Sequence, residues 1–168
     1  ASNFKIKEAL DIKNRRSKYK DTAFIVEGTH LVETALASGN KINAAFFTDS
    51  FRAKKDGQKI LREIAKKTDE IFEVTEQIMN KLADTETPQG IIATASYDIK
   101  NLEEIRFKSV PLIVAVDRVQ EPGNLGTIIR TSDAAGADAV VILKGACDVF
   151  MQKTIRATAG SIFNIPII

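Results

Sequence analysis

The sequence predicts an α/β fold divided into two domains. Short apolar runs alternate with longer segments whose apolar residues recur at helical spacing, which is the pattern of a layered α/β structure. A continuous apolar run at residues 112–116 is typical of a parallel strand covered on both faces. A polar stretch at 98–110 separates two self-contained patterns. We therefore expect a domain at 1–97, a linker at 98–110 and a second domain at 111–168.

Four strands and three helices are predicted in the first domain. An apolar run at 24–26 leads into a helix over 29–38, which ends at Gly39 because glycine readily adopts the left-handed backbone that terminates helices. The remaining elements are a strand at 44–47, a helix at 58–67, a strand at 70–74, a helix at 75–83 and a strand at 90–95. The breaker-rich segment 85–90 is expected to be a loop.

The second domain is predicted to be a β-α-β-α-β series, which indicates a parallel sheet. Its elements are a strand at 112–116, a helix at 124–135, a strand at 139–143, a helix at 149–159 and a strand at 162–168. Pro122 and Gly123 break the chain after the first strand. Asn124 is of a type that accepts from the first N–H groups of a helix, here one that begins at Leu125 and ends at Gly136.

An arginine is the most informative side chain of the first helix in this series. Arg130 lies opposite an apolar stripe, and Gly126 lies one turn before it, so a ligand or a second backbone could approach closely there. The predicted stripe consists of Leu125, Ile128, Ile129, Ser132 and Ala135. Without family knowledge, a tight strand-to-helix connection with a solvated arginine stays open as an alternative. The dinucleotide fingerprint Gly-x-Gly-x-x-Gly is absent from this segment.

Positive charge is concentrated at the start of the chain. The net charge is +2, but residues 1–22 contain seven Lys or Arg and three Asp or Glu, a local charge of +4. A basic segment on a near-neutral body is the pattern of phosphate-backbone binding, and a solvated helix face is the competing interpretation. The single Cys147 and single His30 form no recognisable metal site. No membrane span or secretory leader is visible, and we expect a cytoplasmic protein.

Two blocks of the second domain resemble the motifs of a known enzyme family. The first consists of Asp117, Pro122, Asn124, Gly126, Arg130, Thr131 and Gly136. The second consists of Lys153, Arg156, Thr158, Gly160, Phe163 and Pro166. In this order they resemble motifs 1 and 2 of the SpoU (TrmH-type) family of RNA ribose 2′-O-methyltransferases. Residues 13–39 resemble the substrate-binding domain that precedes the catalytic domain in these enzymes, which is itself similar to small RNA-binding ribosomal proteins.

The resemblance implies a small RNA-binding α/β domain followed by the N-terminal part of a SPOUT-type (α/β knot) methyltransferase domain. It implies methyl transfer from S-adenosylmethionine to a ribose 2′-hydroxyl of structured RNA, with ribosomal RNA favoured over transfer RNA, by a homodimer. Arg130 and Asn124 would be catalytic, while Arg15, Arg16, Lys18 and Arg156 would contact RNA. Family members continue with a further segment that completes the knot. We therefore expect a fragment, inactive alone, with the cofactor residues mainly beyond Ile168.

Two other functions remain open at this point. A non-catalytic RNA-binding protein could retain the fold without methyl transfer, and a nucleotide-binding α/β domain could lack any role with RNA.

Overall fold

The computed structural model describes residues 2–16, 18, 19, 22–97, 99, 101–107 and 110–168, with only the backbone of Ser2 and Leu102. The chain divides into two compact units, Ala1–Tyr97 and Asp98–Ile168. Four residues of the predicted linker, Asp98, Lys100, Lys108 and Ser109, lie outside the described residues. The described part of that segment contains a short 3-10 helix at Leu102–Glu104.

The first unit is a four-stranded mixed sheet with helices on both faces. Its elements are α1 (Ser2–Lys13), β1 (Ala23–Glu27), α2 (Thr29–Ala37), β2 (Ile42–Phe47), α3 (Asp49–Arg52), α4 (Lys55–Ala65), β3 (Ile71–Glu73), α5 (Glu76–Leu82) and β4 (Ile91–Ser96). The strand order is β1-β4-β2-β3. Strand β4 runs antiparallel to β1 and β2, whereas β3 runs parallel to β2. All predicted strands of this unit are present, but neither helix α1 nor the short helix α3 was predicted.

Burial on both faces of this sheet explains its apolar strands. All five residues of β1 are buried. Helices α1 and α5 pack on one face through a core that includes Ile12 and Leu82. Helix α2 packs against β1, β4 and α4, and contributes the buried Leu31, Val32 and Ala35. The unit therefore has the layered α/β/α arrangement that its alternating pattern predicts.

A buried carboxylate holds the loop before β4. Glu27 is 6% exposed and accepts hydrogen bonds from the backbone N–H groups of Asp84 (2.8 Å) and Thr85 (3.3 Å), and from the Thr85 hydroxyl. The loop also contacts the start of α2, because the Gln89 Oε1 accepts from the Thr29 N–H at 2.8 Å. The segment 85–90 is thus a loop, as expected, and its start is fixed by a side chain from β1.

The second unit contains two parallel strands and two main helices. They are β5 (Ile113–Val116), α6 (Pro122–Ala134), β6 (Ala139–Ile142) and α7 (Gln152–Ala157), followed by a 3-10 helix at Ser161–Phe163. Strands β5 and β6 pair in parallel from Ile113 opposite Ala139 to Val116 opposite Ile142. The predicted parallel α/β arrangement is confirmed here.

Two details of the second unit differ from the sequence-based expectation. Strand β5 is not covered on both faces, because Ile113 is 38% exposed and Ala115 is exposed as well. The predicted strand at 162–168 is mostly wrong. Gly160, with φ of +100°, leads into the 3-10 helix, and only a parallel bridge from Ile167 to Val140 extends the sheet.

Within the described ranges, the helices are too short or too polar to pass through a lipid bilayer.

Candidate functional site

The connection from β5 to α6 is built around Glu121 rather than Asn124. Helix α6 begins at Pro122, a favourable first position because proline lacks the N–H that would be left without a helical partner. The Glu121 carboxylate accepts from the Asn124 N–H at 2.7 Å and caps the helix. The prediction that Asn124 caps a helix starting at Leu125 is therefore wrong. Asn124 is the third helical residue, and its side chain is exposed.

Glu121 also links the start of α6 to α7. Its second carboxylate oxygen lies 2.6 Å from the Lys153 Nζ. The hydrogen bond from Lys153, followed by that from the Asn124 N–H, lowers the pKa of Glu121 below its ordinary value. The carboxylate is consequently ionised at neutral pH, the form that both contacts require. Sequence reasoning missed this role, although an acidic residue directly before a proline at a helix start was a usable signal.

The absence of a side chain at Gly126 permits close packing between α6 and α7. A Cβ placed on Gly126 would lie 2.5 Å from the Ala157 Cβ and 2.5 Å from the Thr154 carbonyl oxygen. Gly126 is buried by this contact. Of the two roles that the sequence left open for this glycine, the structure supports the approach of a second backbone, namely that of α7.

Arg130 lies on the exposed side of α6. Leu125, Ile129 and Ser132 are buried as predicted, but Ile128 is half-buried and Ala135 is exposed, so the buried stripe is narrower than expected. Among the described residues, the Arg130 guanidinium takes part in no ion pair or hydrogen bond. Gly136, with φ of +73°, directly follows the cap of α6. Arg130 is therefore a cation available to an external anion.

The two predicted catalytic residues do not share a face of α6. Arg130 follows Asn124 by six positions, which corresponds to about 9 Å along a helix and about 120° around its axis. A single small group would not contact both side chains unless it extended over that distance.

Two further candidate residues, Arg156 and Cys147, belong to α7 and to the loop between β6 and α7. Arg156 is half-buried in the last turn of α7, so only part of its side chain can reach an external ligand. Cys147 is half-buried, and burial is the main cause that raises the pKa of its thiol. A protonated thiol is a poor nucleophile, so Cys147 is not placed as a nucleophile.

Two of the three cations predicted to bind RNA in the first unit make a hydrogen bond or ion pair within the chain, and the third lies over an aromatic ring. Arg15, with φ of +53°, donates from Nη1 to the Ala23 carbonyl at 2.7 Å. The Arg16 Nε lies 3.1 Å from the Asp11 Oδ1, although the Arg16 side chain is 65% exposed. Lys18 is exposed, and its Nζ lies 5.1 Å from the centroid of the Tyr19 ring. Lys20, another residue of the basic segment, lies outside the described residues.

Neither a metal site nor a paired histidine adds to the candidate site among the described residues. Across the described ranges, no group of three or more His, Cys, Asp or Glu side chains is placed to hold a metal ion. His30 is an exposed residue of α2 whose carbonyl accepts from the Thr34 hydroxyl at 2.9 Å. The candidate site therefore consists of the exposed face of α6 with Arg130, supported by α7.

Comparison with known proteins identifies both units. Residues 3–93 match the family described as the MRM3-like substrate binding domain. Residues 111–168 match the SpoU rRNA Methylase family. The first match covers more than half of the chain, and the two matches follow the same order as the two units of the structure.

Three of the similar proteins are named as rRNA methyltransferases. The chain is 34% identical over 168 residues to the 23S rRNA (guanosine(2553)-2'-O)-methyltransferase RlmP of Bacillus subtilis (strain 168). It is 31% identical over 159 residues to the rRNA methyltransferase 3A, mitochondrial, of Danio rerio. The crystal structure of AdoMet bound rRNA methyltransferase from Sinorhizobium meliloti superposes with a TM-score of 0.84 at 31% identity.

The chain spans only part of the length of these proteins. The match covers all of this chain but 62% of the Bacillus protein, and 92% of this chain but 35% of the Danio protein. It covers 99% of this chain and 61% of the Sinorhizobium chain.

Proposed function

Because this chain belongs to the SpoU rRNA methylase family and begins with an MRM3-like substrate-binding domain, we propose that the protein methylates a ribose 2′-hydroxyl of structured RNA. Ribosomal RNA is the proposed substrate, since the names of the relatives refer to rRNA. In this proposal the first unit binds RNA, residues 98–110 connect the units, and residues 111–168 contribute to the catalytic domain.

The observation that carries the proposal is the exposed Arg130 on a helix that is held in two places. The Glu121–Lys153 ion pair fixes the start of α6, and the contact at Gly126 fixes its first turns against α7. The helix that carries the Arg130 guanidinium is held in place, and no other side chain of the described chain neutralises its charge. Positioning of this kind is what a displacement reaction at a ribose oxygen needs.

Arg130 acts on the phosphate next to the reacting ribose in our mechanism. An arginine side chain keeps its charge at neutral pH, so it cannot remove the hydroxyl proton as a base. Its planar group can instead donate two parallel hydrogen bonds to a phosphate. The phosphate is then held beside the 2′-hydroxyl, where it can accept the hydroxyl proton. Asn124 is proposed to contact a neighbouring nucleotide, since it lies away from Arg130 on α6.

Further RNA contacts are proposed at the basic side chains of both units. Arg16 and Lys18 are exposed enough to reach the phosphate backbone. Arg15 and Arg156 are half-buried, so they are proposed to attract only phosphates that lie directly against the protein surface. Such contacts add affinity but no sequence preference. The active form is proposed to be a homodimer in the cytoplasm.

S-adenosylmethionine is the proposed methyl donor, since the Sinorhizobium relative is described as AdoMet bound. When bound, it supplies an electrophilic methyl group on a sulfonium. Ligands of open α/β sheets bind at the carboxyl ends of the strands. There, the Cys147 N–H donates to the Val119 carbonyl at 2.8 Å, and Gln120 donates to the Gly145 carbonyl. Because these loops bond to each other, we assign no described residue as a ligand of this cofactor.

The test is replacement of Arg130 by Lys in the full-length protein. Losing one bidentate phosphate contact should lower both RNA affinity and single-turnover methylation of unmodified rRNA by about tenfold or more. Arg62→Lys, an exposed arginine on α4, is the matched control and should change neither. Unchanged RNA affinity in Arg130→Lys would contradict the phosphate role. Absence of any 2′-O-methylated nucleotide with the unaltered protein would contradict the proposed reaction and favour a non-catalytic RNA-binding protein.

A further inference from the structure

One face of α1 presents an aromatic ring among charged side chains. Phe4, Lys7, Glu8 and Asp11 recur at helical spacing and therefore share this face. The opposite face carries Ala9 and Ile12, which are buried in the core at 1% and 3% exposure. Together with Arg16, Lys18 and Tyr19, the exposed face lines a groove of about 380 Å³, which we call the α1 groove. This volume lies within the roughly 300–1,000 Å³ typical of small-ligand sites.

Phe4 provides a flat apolar surface in this groove. It is 67% exposed and is the one aromatic residue among the exposed large hydrophobic side chains of the described chain. Tyr19 lies half-buried at the other side of the lining, packed against the core cluster of the first unit, with the Lys18 Nζ over its ring. The groove therefore offers aromatic surface next to positive charge.

The charges of the groove leave a positive balance. Its two carboxylates have partners, because Glu8 lies 3.4 Å from the Lys5 Nζ and Asp11 lies 3.1 Å from the Arg16 Nε. Lys7 and Lys18 are exposed and take part in no ion pair within the described residues. An occupant that complements both features must be anionic and must carry flat rings. A single-stranded polynucleotide has this chemistry, since phosphates and unstacked bases alternate along it.

We propose that the α1 groove binds unpaired nucleotides of the RNA substrate, with a base stacked on Phe4 and phosphates near Lys7 and Lys18. The inference rests on the proposed function for the presence of RNA and adds which part of the RNA the first unit recognises. A duplex cannot use Phe4 in this way, because its bases are stacked inside the helix and only the backbone and groove edges are accessible. The first unit therefore selects a loop, bulge or single-stranded end.

Binding of defined RNAs to the 168-residue chain tests this directly. The probes are a labelled oligoadenylate of about twelve nucleotides, and the same strand annealed to its complement. The unaltered protein should bind the single strand more tightly than the duplex. Phe4→Ala should weaken single-strand binding by about tenfold, which is within the range for loss of one base–aromatic stack, and should leave duplex binding unchanged.

Two further variants separate stacking from other contacts. Phe4→Leu retains apolar area without an aromatic face and should lose as much affinity as Phe4→Ala. Lys7→Gln should reduce the slope of log affinity against log salt by about 0.7, the value for one phosphate contact on a single strand. Lys55→Gln, at the start of α4 and outside the groove, is the matched control and should leave the slope unchanged.

Several results would overturn the inference. These are equal binding of single strand and duplex, full affinity in Phe4→Ala, or full affinity in Phe4→Leu, which would indicate an apolar contact with the RNA that needs no aromatic ring. Because Phe4 is exposed, both Phe4 variants should keep the melting temperature of the unaltered chain, so lost binding cannot be assigned to unfolding. If full-length Phe4→Ala methylated rRNA and bound RNA with undiminished affinity, the proposed role of the α1 groove would be contradicted. The proposed methylation reaction would not.

Discussion

Replacing Gly126 by Ala should destabilise the second unit. The added Cβ would lie 2.5 Å from the Thr154 carbonyl oxygen and 2.5 Å from the Ala157 Cβ. Carbon contacts are most favourable at about 3.5–4.0 Å, so the two helices must separate by about 1 Å. One of the two clashing atoms belongs to the backbone of α7 and cannot turn aside as the end of a side chain could. The close contact therefore has to open along the helix pair.

The magnitude follows from two opposing effects. Overpacking of a tight site costs about 1–3 kcal/mol, and the clash with backbone places Gly126→Ala at the upper end of that range. Alanine recovers about 1 kcal/mol through its higher helix propensity. We expect a net loss of about 2 kcal/mol in the free energy of unfolding, a factor of about 30 in the ratio of folded to unfolded molecules.

Gly123→Ala is the matched control on the same helix. A Cβ at Gly123 would lie 2.8 Å from the Glu121 Oε2, the oxygen that accepts from the Asn124 N–H. The cap would have to shift, but no backbone atom of α7 would be displaced, so the expected loss is only about 1 kcal/mol. Urea unfolding monitored by circular dichroism gives the free energies, and amide exchange of α6 and α7 assigns the loss to the second unit. If Gly126→Ala proved as stable as Gly123→Ala, the close approach of α7 would not be what requires glycine at position 126.

Three further outcomes are expected from single substitutions. Glu27→Gln should lower the free energy of unfolding, measured by urea titration, by about 1–3 kcal/mol, because the buried carboxylate accepts from Asp84 and Thr85. Glu86→Gln, at an exposed position, is the control and should have little effect in the same titration. Thr75→Ala should cost about 1 kcal/mol, because the Thr75 hydroxyl caps α5 by accepting from the Ile78 N–H, and Thr75→Ser should recover most of the loss. Lys153→Met should raise the pKa of Glu121 towards its ordinary value, as followed by NMR titration of the carboxyl carbon. Since the folded-state pKa of Glu121 is lowered, its contribution to stability is present above the ordinary carboxyl pKa and is lost as pH falls through the lowered value. Lys153→Met should therefore make the free energy of unfolding depend less on pH in the acid range. An unchanged NMR titration of Glu121 would contradict the role of Lys153.

Element types were predictable wherever the hydrophobic pattern was long and regular. The strands of the first unit and the helix over Arg130 could be predicted because burial on a sheet or on one side of a helix imposes a period on the sequence. The parallel pairing of β5 and β6 followed from the alternation of strands and helices. Arg130 was likewise placed opposite the buried stripe of α6, where the structure has it.

Local endings were less predictable, because they depend on contacts between distant residues. Asn124 has a good capping side chain, but Glu121 caps α6 since its carboxylate is also held by Lys153 from α7. The apolar segment 162–168 looked like a strand, yet the left-handed Gly160 diverts it into a 3-10 helix. The apolar run of β5 could not reveal that Ile113 and Ala115 are exposed, because a run without a period does not distinguish one covered face from two.

Counting basic residues overstates how many of them can contact RNA. Of the seven cations in residues 1–22, Lys5 pairs with Glu8, Lys13 donates to the Lys81 and Ala83 carbonyls, Arg15 donates to the Ala23 carbonyl, and Arg16 pairs with Asp11. Lys20 lies outside the described residues, which leaves Lys7 and Lys18 as exposed and unpaired within the described chain. Contacts from Lys7 and Lys18 alone imply a slope of about −1.4 for log affinity against log salt on a single strand, and each further cation that contacts a phosphate, such as the exposed Arg16, adds about −0.7, up to about −4.9 for all seven. If the first unit binds RNA as proposed, the salt dependence measures how many cations are available for phosphate contact, not how many the sequence contains. A slope near the larger value would show that RNA displaces the internal partners of Lys5, Lys13, Arg15 and Arg16.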